Sequence, residues 1–387
     1  MATVGDCGGG TGYRFSVGRA TLITFVAVAV GLLVPSPSSA GKPADGTRLT
    51  VAATGDFLIH GPVYRRALAY GDGRRYEFRP MLRAIRPLIA GADLALCHLE
   101  TPLSYGPPRG YPSFRTPVGL AAAVHATGWD ACSTASNHTL DAGQRGVNTT
   151  LDILDRFRVR HAGSYRTRAA ARRPTVLEAK GVQVAFLSYT ALTNGQSLPH
   201  PWTLNLAGVR RIARDARSAR RAGADAVIVN LHWGAEYGRA PTRAQRSLAA
   251  ALTRLRAVTA VVGQHAHVVQ PIRWIHGKPV VFGEGNLLSN QTAACCPAGS
   301  QDGLIALLDL RVDGSGVRAQ RVRYLPTYVR HPDFTVVGAR GPSRTRTIKV
   351  AGRSRRVVPI RWPTPRAPAG GAQADRRSVE HRTDGSR

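Results

Sequence analysis

Acidic side chains are scarce in this 387-residue chain: Asp and Glu number 23 against 53 Lys and Arg, a formal charge of +30. That imbalance favours polyanions as neighbours, whether anionic lipid, wall polymer, nucleic acid or an acidic product, although an Arg-rich source proteome gives the same excess. Charged residues of both signs make up only 20% and hydrophobic ones 43%, which describes a globular chain rather than a disordered one. Beyond residue 40 no apolar run approaches the roughly 20 residues of a membrane-spanning helix, so no helical span is expected there. There is no solenoid repeat, no phosphate-cradling Gly-rich loop, no serine-hydrolase elbow and no Cys-x-x-Cys metal pair. Those absences remove P-loop nucleotide chemistry, Ser-His-Asp acyl transfer and thiolate zinc sites from consideration.

What is present begins with a leader. Arg14 and Arg19 precede an apolar run over residues 20–34, and Pro35-Ser36-Pro37-Ser38-Ser39-Ala40 ends in a small-x-small pattern. Residues 1–40 are therefore expected to be a signal peptide cleaved after Ala40, with the mature protein exported; an uncleaved N-terminal anchor is the alternative. Cys7 would leave with it. Cys97, Cys132, Cys295 and Cys296 would then meet an oxidising compartment, in a pairing the sequence leaves open. From residue 338 to 387 the chain turns to Arg, Pro, Gly and Ser and is expected to be a basic, mostly disordered tail, with one short strand near residues 347–350. Residues 41–337 remain as one large domain.

Within that domain β-branched runs alternate with amphipathic stretches. Runs at 49–56, 92–100, 129–138, 182–190, 224–234, 257–265 and 278–286 read as strands, and segments at 80–90, 119–127, 143–157, 208–222 and 242–256 read as helices. This is an α/β pattern with a largely parallel core and antiparallel strands toward the end. Polar residues cluster where those strands finish. Asp56, Glu100, Asn137 with His138, His232, and His265 with His267 each fall at a strand's C-terminal end, where an open α/β sheet gathers its ligand site. In an extended backbone His265 and His267 would send both rings to the same side. Singly each residue has an ordinary explanation as a cap or turn. Together they supply carboxylates, an amide oxygen and imidazoles, a donor set suited to two adjacent divalent transition ions such as Mn, Fe or Zn.

In that order the blocks "TGDFLIH", "LALCHLETPLS", "CSTASNHTLDAGQRGVNTTLDIL", "NLHWGAEYGRAPTRAQRSLAAAL", "VVGQHAHVVQPI" and "VVFGEGNLL" resemble the bacterial capsule-synthesis CapA family, the poly-γ-glutamate capsule biosynthesis proteins, a branch of the calcineurin-like metallophosphoesterases. The resemblance covers residues 49–290. It implies a four-layer α/β/β/α sandwich and a dinuclear metal site: Asp56 and His267 on one ion, Asn137, His232 and His265 on the other, and Glu100 bridging. His138 matches the histidine that related phosphoesterases use to steady the phosphoryl group or protonate the leaving oxygen. The implied activity is a metal-dependent phosphoesterase-type hydrolysis during envelope-polymer synthesis; the alternative is a non-catalytic, metal-binding part of an export or assembly complex. The implied partners are an anionic envelope polymer or phosphoester substrate and membrane-bound polymer synthesis or export proteins, with no specific nucleic acid.

The chain also departs from its relatives. Where metallophosphoesterases carry Asp-x-His, Asp56 is followed by Phe57 and Leu58, which removes one ligand of the first ion. His60 is the nearest substitute, at a different spacing. His98 stands where the family has Asn; it shares Glu100's side of an extended segment, and an orienting role is favoured over direct ligation. Ser136 replaces an Asn. Arg115 could grip phosphate or carboxylate near the site, but a solvated loop arginine is the favoured reading; Glu236 is a candidate for the cleft lining, and Trp233 for either cleft or core.

Overall fold

The computed structural model describes residues 43–362, and the expected leader and residues 363–387 lie outside them. Among the described residues no helix is long and apolar enough to cross a membrane.

Period-two alternation divides each strand between two faces. On the strand Arg48–Phe57, Leu49, Val51 and Ala53 turn to one side while Ala52 and Phe57 turn to the other. The first set joins Leu94, Leu96, Val184, Phe186, Ile228 and Val262 in a core between two sheets. The second packs against helices through Val63, Met81, Ile85 and Val124. A third core lies beyond the second sheet, where Val227, Val229 and Leu231 meet Ile212, Ala216, Ala249 and Leu252. Three cores between four layers make the α/β/β/α sandwich.

The first sheet has nine strands. The central strand Arg48–Phe57 is parallel to Leu94–Leu99, which is parallel to Ala131–Ser133. On its other side it pairs antiparallel with Asp302–Asp313, followed by Gly316–Arg330. The second sheet has six strands, with Val182–Thr190, Ala226–His232 and Ala260–Gln264 parallel at its centre. Cys97 and Cys132 are directly paired across two parallel strands, Cα atoms 4.4 Å apart, and form a disulfide; Cys295 and Cys296 are free thiols.

Two expectations fail. The stretch read as one helix over 80–90 is two short ones, Arg79–Leu82 and Arg86–Ala90, because Pro87 has no N–H to give and crowds the preceding turn. The tail is ordered well past residue 338: Gly341–Ala351 is a helix, not a strand, and Val357–Pro359 pairs with the strand Gly316–Arg330. Its composition is polar, but Ala351, Ile348 and Val350 pack on the inter-sheet core, and Ser343 and Arg346 both bind the buried Asp302 carboxylate at 2.5 Å.

Candidate metal centre

Asp56 reaches the space between the sheets because of a β-bulge. Ala53 is opposite Leu96 but Asp56 is opposite His98, so one extra residue is inserted at Thr54-Gly55. Without it Asp56 would point with Ala52 toward the helices. Gly55 is required there, since a Cβ would lie 1.8 Å from the carbonyl oxygen of Gly285. The Asp56 N–H donates to that oxygen at 3.0 Å.

Leu94, Leu96 and His98 share the inter-sheet face of their strand, and Glu100 follows just past its end. The His98 ring is wholly buried. Its Nδ1 lies 2.8 Å from Ser133 Oγ, and its Nε2, with no hydrogen-bond partner, is 3.6 Å from Asp56 Oδ1. The sequence reading favoured an orienting role for His98. In the structure Ser133 does the orienting, and His98 offers its free nitrogen in company with Asp56 and His232. Its position, on the strand beside Asp56, is one from which it could stand in for the histidine absent from the Asp-x-His position. Replacing His98 by Gln should therefore weaken the ion held by Asp56 about 10- to 100-fold while leaving the other in place, as competition with a chelator would measure.

The loop after Ala131–Ser133 delivers Asn137 and His138. Asn137 Oδ1 lies 2.9 Å from His232 Nε2, and its Nδ2 donates to Asn194 Oδ1 at 3.1 Å, so the amide oxygen faces the centre. His138 is tied at Nδ1 to Asp141 Oδ2, 3.0 Å away. A carboxylate only accepts, so Nδ1 carries the proton and Nε2 is the free nitrogen. Phe114 packs edge-on against the His138 ring and donates its N–H to Asp141.

The second sheet closes the site. His232 ends the strand Ala226–His232 on the face of Ala226 and Ile228. His265 and His267 do not lie on an extended strand as expected. Their strand ends at Gln264, and both residues take left-handed φ values of 89° and 55°. Such φ values cost of order 1–3 kcal/mol each and persist only where the surroundings fix them. The His265 N–H binds the Asp56 carboxylate, and His267 Nδ1 is 3.1 Å from Asn286 Oδ1.

These side chains form interlocking groups. One contains Asp56, Glu100 and His267; another Glu100, His232 and His265; a third Asp56, His98 and His232; ligand atoms within each lie inside 4.8 Å. Glu100 belongs to two of them. Glu236, on the exposed rim, reaches His265 and His267. Both Glu100 carboxylate oxygens, His98 Nε2, His232 Nδ1 and His265 Nδ1 are buried without a hydrogen-bond partner. Buried carboxylates and imidazoles cannot stay unpaired without large cost. This donor set therefore fits divalent transition ions.

Protonation agrees with that fit. Burial lowers His98 to about 4; burial and the neighbouring His267 lower His265 to about 4; burial and His265 take His232 well below its usual value. All three are neutral, as ligands must be, at pH 7. Burial raises Glu100. Burial also opposes charge on His267, but Glu100 and Asp56 outweigh it and push its pKa to about 9. In the metal-free protein a protonated His267 is thus the cation between two carboxylates, 3.6 Å from Glu100 and 3.4 Å from Asp56.

The other candidates are placed as follows. Arg115 is exposed on the strand-like turn with Arg109, and its neighbour Phe114 is what touches His138. Trp233 belongs to the core beyond the second sheet, its Nε1 bound to Phe282 O. His60 lies near the centre with its Nδ1 3.3 Å from the Asn290 N–H, and joins none of the ligand groups. Ser133, Asp141 and Asn194 hold ligand candidates or His138 in place and were not singled out from sequence; Asn286, read from sequence only as part of a tight turn with Gly285 below the site, binds His267.

The family model described as bacterial capsule synthesis protein PGA_cap matches residues 50–291. The chain is 25% identical over 261 residues to the capsule biosynthesis protein CapA of Bacillus anthracis, covering 65% of this chain and 62% of that one. It is 24% identical over 251 residues to the PGA biosynthesis protein CapA of Bacillus subtilis, covering 63% and 64%. The chain thus spans less than two thirds of the length of these curated relatives. Among solved structures it is similar to the calcineurin-like phosphoesterase YfkN from Bacillus subtilis, with TM-score 0.43, 13% identity, and coverage of 79% of this chain and 96% of that one. A putative 5'-nucleotidase from Staphylococcus aureus gives TM-score 0.46 at 13% identity, covering 79% and 58%.

Proposed function

Because this chain belongs to the bacterial capsule synthesis protein family, we propose that it is an exported protein that hydrolyses a phosphoester-type bond of an anionic envelope component at a dinuclear metal centre. The observation that carries the reading is the pair of buried ligand groups joined through Glu100, whose free lone pairs have no protein partner.

Asp56, His98, His267 and Glu100 would hold one ion, and Glu100, Asn137, His232 and His265 the other. When bound, two such ions supply Lewis acidity toward a phosphoryl oxygen and make water nucleophilic at neutral pH. The remaining work falls to protein groups. With Nδ1–H held by Asp141, His138 would give a proton from Nε2 to the leaving oxygen only as the doubly protonated imidazolium, whose charge Asp141 balances. Phe114 limits the ring's rotation and shields it from water. Asn194 keeps the Asn137 amide oxygen turned inward.

The test is a metal titration of stripped protein followed by a phosphoester screen. Loading should take up about two ions and release at least one proton near pH 7–8, since His267 must give up the proton it holds there and any proton on the raised Glu100 carboxyl leaves with it. Calorimetry in buffers of different ionisation enthalpy reads that proton. Hydrolysis of a simple phosphodiester or phosphomonoester should then appear with the ions and vanish on chelation. A protein that loads two ions and hydrolyses neither substrate class would instead be a binding or assembly component.

A further inference from the structure

One large cavity among the described residues lies away from the metal centre. It is a groove of about 1220 Å³ between the helix Val209–Arg221 and the segment before the edge strand Thr175–Ala179. Arg168, Arg172 and Arg173 line one wall. Arg210, Arg211, Arg214 and Arg221 line the other. Seven guanidiniums face one carboxylate, Asp215. The chain as a whole carries 53 basic to 23 acidic residues, so the groove exceeds the background several-fold.

Asp215 shows how the groove receives a carboxylate. It accepts from Arg214 Nε at 2.9 Å and from the Tyr189 hydroxyl at 3.0 Å, with Arg211 3.9 Å away. Arg168, Arg172, Arg173, Arg210 and Arg221 are exposed and, among the described residues, have no acidic partner. Arg210 and Arg221 sit near opposite ends of one helix, which at 1.5 Å per residue spreads the positive wall over about 16 Å. An extended chain of about five residues covers that length. Few aromatic faces are offered to a base: the Tyr189 ring is buried and Trp202 at the rim stacks on His200. The same loop that closes the groove with Trp202 and Asn205 carries Asn194, which holds the ligand Asn137.

We propose that this arginine-lined groove is a second binding site that holds a stretch of a linear polycarboxylate, an acidic chain of repeated carboxyl groups, beside the metal centre. Guanidinium forks match carboxylates two N–H bonds at a time, and several weak exposed pairs along one chain add up where a single one contributes little. The assignment rests on the proposed function only in taking an acidic polymer as the partner, and it does not require the centre to be hydrolytic.

Fluorescence anisotropy with the intact, metal-loaded protein and a labelled oligo-glutamate of about ten residues tests it. Binding should weaken steeply between about 50 and 200 mM salt. The triple variant R168Q/R172Q/R173Q should bind about tenfold more weakly, and so should R210Q/R221Q. A control of equal charge change on other exposed arginines, R74Q/R254Q/R256Q, should bind as wild type. Equal loss in the control would mean diffuse charge and overturn the site. Tighter binding of an oligonucleotide or phosphate-linked polymer of matched charge would overturn the ligand class. The groove variants should hydrolyse a small phosphoester as wild type does. If wild type binds the peptide through these arginines but hydrolyses no phosphoester, the function reading fails and the groove stands.

Discussion

Glutamine in place of Glu100 is expected to cost the protein both ions and at least about 1000-fold of any phosphoester turnover. Glu100 stands in both the group with Asp56 and His267 and the group with His232 and His265, so its two oxygens are the link between the positions. An amide there offers one weaker oxygen and an N–H pair that repels a cation. The fold should survive. The substitution is nearly isosteric, but it removes a carboxylate that faces protonated His267, so the metal-free variant should melt somewhat below the metal-free wild type. Elemental analysis and melting curves of stripped and loaded protein read the two effects separately. Retention of two tightly held ions in the variant would dismantle the bridging assignment.

Removing His138 should have a large effect of a different kind. Its Nδ1 is engaged by Asp141 and it belongs to none of the ligand groups. His138→Ala is therefore expected to keep both ions while turnover falls about 100- to 1000-fold, the usual consequence of losing a general acid or a charge stabiliser. Asp141 does not become an orphan in the variant, because the Phe114 N–H and Gln196 Nε2 still donate to it. Loss of metal with the activity would mean that His138 is a ligand. Unchanged turnover would remove it from the chemistry.

The alternation of apolar residues was enough to read the layers, and strand ends were enough to collect Asp56, Glu100, Asn137, His232, His265 and His267 in one place. What alternation cannot register is an inserted residue. The bulge at Thr54-Gly55 reverses the face of Asp56, and nothing local in the sequence announces it except a glycine whose need becomes plain only beside Gly285. His265 and His267 reach the centre through left-handed backbone in place of strand alternation, so the right residues were found by an incorrect geometry. For His98, spacing gave the side of the strand but not the Ser133 contact that points Nε2 at Asp56. The Cys97–Cys132 bond depended on the register of two strands separated by 35 residues. The segment 341–351 looked disordered because its own apolar residues are few; its order comes from the core it covers and the Asp302 carboxylate it binds.

The centre is divided between two sheets, and the division also falls along the chain. Asp56, His98, Glu100 and Asn137 are made early, His232, His265 and His267 late, and the His265 N–H that contacts Asp56 lies 209 positions further along the chain. During vectorial synthesis, every nascent chain shorter than its His265-Ala266-His267 turn lacks the donors that complete either position. A half-made chain can attract an ion only loosely, through two carboxylates and a lone imidazole. If the centre takes up ions as proposed, metal choice is thereby postponed to the finished chain and to the compartment in which it folds, so the ion acquired would reflect the supply there and not the supply at the ribosome.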